Sequence, residues 1–315
     1  MSVATIGTAK RLARKFGATI HLANVQEYPG PVVDSGAAVV AAPITDLEKQ
    51  RRSGQRLLLQ LRKKHKLTGT CRSEFANGAF DMLCRIAAEI PADLIVTSTH
   101  GRTGLKRLLL GSTAERLVQY SPCLVFVFGS KKSTGNTQRD IKKILVPVDF
   151  SDCSLAGLTY AARFAKTVCA RISVVHVVDL GPVMMTTGCG NYISPTYIEA
   201  ARHRCADQLQ AFLTGVDFDG VPFDTCAVAG YSPDGIYQTA AREAADLIIM
   251  STHGRTGLRH VLVGSAAERT VRCATCSVLV VPLFSRVRKS TVQQKRPPAG
   301  RARADKSHSH RRLRS

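Results

Sequence analysis

Between residues 140 and 282 the chain alternates two patterns. Short runs are apolar or β-branched at nearly every position, and longer stretches bring apolar residues back every three or four places. Residues 141–148 form the first short run, continuous enough for a strand covered on both faces. Residues 155–168 follow with apolar or small side chains at 155, 158, 161, 162 and 165, one face of a helix, and Asp149-Phe-Ser-Asp-Cys-Ser ahead of it offers several N-cap residues. The alternation then predicts a strand over 172–178, a loop over 180–195 containing Gly, Pro and Met, and a helix over about 196–213. A strand over 223–229, a helix over 233–245, a strand over 247–251, a helix from Ser265 and a fifth strand over 277–282 complete the series. Such strict strand–helix alternation predicts a parallel, doubly wound α/β sheet with right-handed crossovers. Ligands of these sheets sit beyond the carboxyl ends of the strands, where strand order reverses.

Upstream the same succession runs once more, one part short. A helix over 4–16, a strand over 19–25, a helix over roughly 46–66, a strand over 70–76, a helix over 81–90, a strand from Asp93 and a strand over 123–128 are all legible. Counterparts of 141–149 would fall before residue 1, so the first strand of this repeat is expected to be absent. That strand should be central, and its loss leaves two ladder edges in mid-sheet. A late start of the chain is the favoured account, ahead of shielding by the partner domain or filling by another segment; the tail's prolines and charges oppose a central strand. Residues 129–139, rich in Ser, Thr, Gly and Asn, read as a linker. The expected organisation is a first domain over 1–129, a linker over 130–139, a complete second domain over 140–285 and a tail over 286–315.

The repeat is most explicit at residues 98–112 and 251–265. Eleven of these fifteen positions are identical at a constant offset of 153, including an unbroken run of eight, Ser-Thr-His-Gly-Arg-Thr-Gly-Leu. Each copy leaves an apolar run, Asp93-Leu-Ile-Val-Thr or Asp246-Leu-Ile-Ile-Met, passes a glycine-containing loop, and reaches Gly111-Ser112-Thr113-Ala114-Glu115 or Gly264-Ser265-Ala266-Ala267-Glu268. The spacing of Ser112 to Glu115 and of Ser265 to Glu268 predicts a capping box. Strand, Gly-rich loop and helix N-terminus together make a seat for phosphate, because free backbone N–H groups and the positive end of the helix dipole converge there. Glycines that only turn and serines that only cap are the alternative. Two retained copies favour a ligand, although duplication also copies architecture.

Charge and cysteine usage narrow the picture. The formal net charge is +21, and residues 286–315 alone hold eleven Lys or Arg against Asp305. That tail has little to bury and is expected to be disordered, either a solvated extension or an arm holding polyanions in a salt-dependent way. Basic residues at 10, 11, 14 and 15 could suggest a transit peptide. However, 9–25 aligns with 161–177 and is read as mature fold, leaving a cytoplasmic protein without a membrane span. Most of the ten cysteines lie in apolar runs, which suits reduced structural thiols. Cys273-Ala-Thr-Cys276 has a redox or zinc spacing but no second pair, and no metal site is expected.

With these residues in view, the chain resembles the universal stress protein family in its tandem two-domain form, over residues 1–285. The family signature G-x2-G-x9-G-[S/T] falls on Ser98, Gly101, Gly111 and Ser112 and on Ser251, Gly254, Gly264 and Ser265, with serine for the first glycine in both copies. The resemblance implies two tandem doubly wound, Rossmann-like domains of the adenine nucleotide alpha hydrolase-like type. They would form an intramolecular pseudo-dimer through fifth strands at 124–128 and 278–281, with homodimerisation a further option. It implies an ATP-binding stress or regulatory protein, with AMP or ADP as alternatives and magnesium undecided. By the resemblance, Pro147 and Asp149 flank adenine and ribose, Val177 and Met250 wall the base, and Ser251, His253, Gly254, Gly264, Ser265 and Ala266 form the phosphate loop. Asp149 read alone could equally be a helix cap, and His253 a loop-stabilising histidine. The first repeat keeps Val25, Ser98, His100, Gly101, Gly111, Ser112 and Thr113 but has no counterpart of Asp149, so a vestigial site that binds weakly or not at all is expected. No G-x4-G-K-[ST] motif occurs and no Lys sits between the last two signature glycines of the second copy, so at most slow hydrolysis is expected. A nucleotide-free interaction module and nucleic-acid association through the tail are the competing readings.

Overall fold

The computed structural model describes residues 3–28, 44–98, 110–129, 140–179, 194–252 and 265–282. The expected linker and basic tail lie outside them. In chain order the elements are α1 (Val3–Phe16), β1 (Leu22–Glu27), α2 (Ile44–His65), β2 (Cys71–Ala76), α3 (Ala79–Glu89), β3 (Leu94–Ser98), α4 (Ser112–Tyr120) and β4 (Leu124–Phe128). They continue with β5 (Lys143–Pro147), α5 (Asp152–Val168), β6 (Arg171–Asp179), α6 (Pro195–Leu213), β7 (Phe223–Gly230), α7 (Ser232–Arg242), β8 (Leu247–Ser251), α8 (Ser265–Cys273) and β9 (Ser277–Val281).

Seven strands form one sheet in the order β3-β4-β9-β8-β5-β6-β7, parallel throughout except between β4 and β9. The second repeat supplies five of them, β7-β6-β5-β8-β9. From central β5 the chain winds outward through β6 and β7, then returns to β8 on the other side, so strand order reverses beside β5. The continuous apolar runs of β5 and β8 follow from cover on both faces: Ile144, Leu145, Leu247, Ile248 and Ile249 are all fully buried.

On one face lies α5, whose small residues let it settle close to the sheet; a Cβ on Gly157 would stand only 3.5 Å from the Ser251 amide. This helix starts at the Ser151 N-cap and stops at Cys169, held in the left-handed region at φ 59 with its N–H donating to the carbonyls of Ala165 and Lys166. On the other face, α7 and α8 pack Ile236, Ala240, Ala267 and Val271 against Leu145, Ile248 and Met250. The carboxylate of Asp246, just before β8, accepts from the amides of Lys142 and Lys143 at 2.8 and 3.0 Å and so pins the start of β5.

The first repeat is divided. Strands β1 and β2 form a separate parallel pair, whereas β3 and β4 belong to the large sheet. Among the described residues no strand lies between β1 and β3. The expected strand over 19–25 is corrected to Leu22–Glu27. Its counterpart β6 begins at Arg171, where Lys143 of β5 is its ladder partner; among the described residues β1 has no such neighbour to carry it further back. The same gap leaves all five residues of β3 half-buried, while Leu247–Met250 at the equivalent place are buried.

The predicted capping box at Ser112 is also corrected. Ser112 is the first helical residue of α4, and the N-cap is Gly111, which has no side chain to accept a bond; its carbonyl instead takes the Glu115 amide at 3.0 Å. The described cysteines are free thiols. Burial pushes the thiols of Cys84 and Cys276 up to about 11 and about 12, as befits structural rather than reactive groups.

Candidate functional site

Where strand order reverses, the carboxyl ends of β5, β6 and β8 open into a cleft of about 110 Å³ as bounded by the described residues. Six of the residues singled out in the sequence line it: Pro147, Asp149, Val177, Met250, Ser251 and Ala266. Val177 and Met250 are buried apolar walls contributed by different strands. Ala266 stands in the first turn of α8, so the helix's unpaired amides lie at the same edge. A flat apolar group could rest between such walls, with hydroxyls toward Asp149 and anionic oxygens toward the helix end.

Local chemistry fixes Asp149. Its Oδ1 accepts from the Ser151 hydroxyl at 2.6 Å and from the Ser151 amide at 3.2 Å. Ser151 in turn caps α5 by accepting the Ser154 amide at 3.2 Å. Asp149 is therefore not the cap itself; it orients the cap, and the same bonds orient the carboxylate at the cleft. Phe150 between them has φ 64, a left-handed conformation that costs a side-chain-bearing residue of order 1–3 kcal/mol. It is retained by packing: its ring stacks on His176 at 4.3 Å and meets Phe212 edge-on at 5.5 Å.

Sequence reasoning missed His176, Ser154, Ser232 and Ile236, which also line the cleft. The ring Nδ1 of His176 lies 2.7 Å from the Val148 carbonyl. A carbonyl only accepts, so Nδ1 carries the proton and the tautomer is set. The one signal for His176 was its place beside Val177. Ser232 and Ile236 arrive because α7 comes unusually near β6: a Cβ on Gly235 would fall 2.7 Å from Val177 Cγ1. A close approach of that kind has no signature beyond the glycine itself.

His253, Gly254 and Gly264 lie outside the described residues, as do the side chain of Ser265 and, in the first repeat, His100 and Gly101. Val25, Ser98, Gly111, Ser112 and Thr113 are brought together, but around a much larger cleft between β1 and β3. Among the described residues no carboxylate equivalent to Asp149 is there. No described group of His, Cys, Asp and Glu could hold a metal ion, and no described helix is long and apolar enough to cross a membrane.

The universal stress protein family model matches the chain twice, over residues 2–129 and 140–282. A universal stress protein of Methanocaldococcus jannaschii is 34% identical over 146 residues, covering 46% of this chain and 85% of its own. One from Mycolicibacterium smegmatis is 26% identical over 201 residues, covering 62% of this chain and 64% of its own. Among solved structures, a universal stress protein from Archaeoglobus fulgidus aligns over 90% of this chain and 93% of its own, with a TM-score of 0.58 at 16% identity, a likeness of fold.

Proposed function

Since the chain belongs to the universal stress protein family, we propose that its second repeat binds an adenine nucleotide, ATP in the first instance with AMP or ADP as alternatives, in a stress or regulatory role without committed catalysis. The observation that carries this reading is the meeting of Pro147, Asp149, Val177, Met250, Ser251 and Ala266, drawn from three strands and a helix start, around one cleft at the reversal of strand order. The apolar walls suit the base, the carboxylate suits ribose, and His253, Gly254, Gly264 and Ser265 complete the loop for phosphate. The first repeat binds weakly or not at all, for want of a counterpart of Asp149. Domains over 1–129 and 140–285, pairing of the repeats as an intramolecular pseudo-dimer, a cytoplasmic setting and salt-dependent polyanion contacts by residues 286–315 belong to the same proposal.

Equilibrium binding of labelled ATP to the full chain tests it. Saturable binding of one nucleotide per chain, lost in Gly254→Val, is the expected result. No saturable binding would favour a nucleotide-free interaction module, to which the local engagement of Asp149 by Ser151 lends some weight.

A further inference from the structure

We infer that the cleft between β1 and β3 accepts one extended polypeptide strand, parallel to both, with the chemistry of residues 141–149. The cleft measures about 1790 Å³, well above the roughly 300–1,000 Å³ of small-molecule sites. Its sides are the facing edges of two strands. One helix layer, α1, offers Ile6 and Leu12, and the other, α3 with α4, offers Ile86 and Leu117. This is the inside of a three-layer α/β unit in which, among the described residues, no strand occupies the middle.

The second repeat shows what fits. There β5 lies between β6 and β8, with Ile144 opposite both Ile172 and Leu247, and Leu145 opposite Ser173 and Ile248. The equivalent positions in the first repeat are Ile20, His21, Leu94 and Ile95, and all four line the cleft. Asp246 anchors β5 through the two amides of Lys142 and Lys143. Its counterpart Asp93 also lines the cleft, and among the described residues its carboxylate makes no such bond. Both ladder edges, both helix faces and the anchoring carboxylate are thus arranged for an apolar strand entering beside Asp93. Among the described residues the segment of this kind, 143–147, is already seated between β6 and β8. An unpaired strand edge is a standing template for addition of such a segment.

The test adds a fluorescent peptide, Asp-Ile-Lys-Lys-Ile-Leu-Val-Pro-Val-Asp-Phe, copied from residues 140–150, to the chain of residues 1–315. Saturable binding at one peptide per chain with a raised Tm is expected. A peptide carrying Leu145→Pro, which removes a ladder donor, should fail to bind, and Asp93→Asn should weaken binding about tenfold, the scale of a charge-assisted bond. A second protein with the same eleven residues fused through a short linker ahead of Met1 should be more stable and should no longer bind the free peptide. Absence of binding together with an unstabilised fusion overturns the inference. So does undiminished peptide binding by the fusion, which would place the peptide elsewhere. A dimer that the peptide dissociates would assign the cleft to a second copy and overturn it as well. None of these readouts involves nucleotide, so failure here is separate from failure of the proposed function.

Discussion

Phe126 and Leu279 occupy the same place in the two repeats and stand opposite each other in the β4–β9 ladder. Val125 pairs with Val280 and Val127 with Val278, so each strand presents to the other the register it receives. This is the reciprocity of a twofold interface between equivalent surfaces. Both central side chains are 1% exposed, so the seam is a piece of core. Leu279→Ala should cost about 2–5 kcal/mol and Phe126→Ala about 3–5 kcal/mol, read from denaturant midpoints.

Asp149 is asked to do two things, and they separate by mutation. Ser151→Ala removes the cap of α5 and should cost about 0.5–2 kcal/mol of stability. It should weaken ATP binding less than loss of the Asp149 carboxylate does, because that carboxylate keeps its bond from the Ser151 amide. Asp149→Ala should lose a comparable amount of stability and weaken ATP binding by about tenfold or more, if the carboxylate holds a nucleotide hydroxyl. Calorimetric titration beside thermal unfolding distinguishes them. Equal affinity in the two variants would reduce Asp149 to architecture.

Gly235 sets how near α7 comes to Val177. The β-branched Val177 is stiff about χ1, so the contact at 2.7 Å cannot be relieved by a rotamer change alone. Gly235→Ala should destabilise by about 1–3 kcal/mol as an overpacked site and should weaken nucleotide binding through the displaced wall. A substitution that left both unchanged would show that the helix slides freely.

The raised thiols give a pH dependence of definite sign. Cys276 ionises in the unfolded chain near 9 but in the folded protein only at about 12; Cys84 behaves alike, at about 11. Between those limits the unfolded state has lost protons that the folded state keeps, so stability is present in full below about pH 9 and falls as pH rises through the interval. The slope of Tm against pH above 9 should be shallower in Cys276→Ala. At pH 8, alkylation of the folded protein should reach exposed Cys169 well before buried Cys123.

If the strand-acceptor inference and the nucleotide reading both hold, peptide 140–150 should bring a carboxylate equivalent to Asp149 beside Ser98 and Thr113. Bound ATP should then rise from one to two per chain, as counted by equilibrium dialysis.

Much of this architecture was legible because its signals are local. The continuous runs at β5 and β8, the offset of 153 and the absent counterpart of residues 141–149 required only the sequence. What was not legible depends on neighbours. Strand β1 begins at Leu22 because, among the described residues, no strand equivalent to β5 lies beside 19–21 to extend the ladder. Gly111, not Ser112, caps α4 because the helix starts one residue earlier than its S-x-x-E spacing suggested. His176 enters the cleft through a bond to the Val148 carbonyl and a stack on Phe150, and neither partner is close to it in sequence.

Strands β3 and β4 descend from the first repeat yet are hydrogen-bonded into the sheet of the second. Cooperative opening follows bonding and packing rather than ancestry. The line along which this molecule yields should therefore run through the interior of the first repeat, between the β1–β2 hairpinless pair and everything that follows Asp93. Hydrogen exchange would record that fracture as fast amides in β1 and β2, and slow ones from β4 through β9.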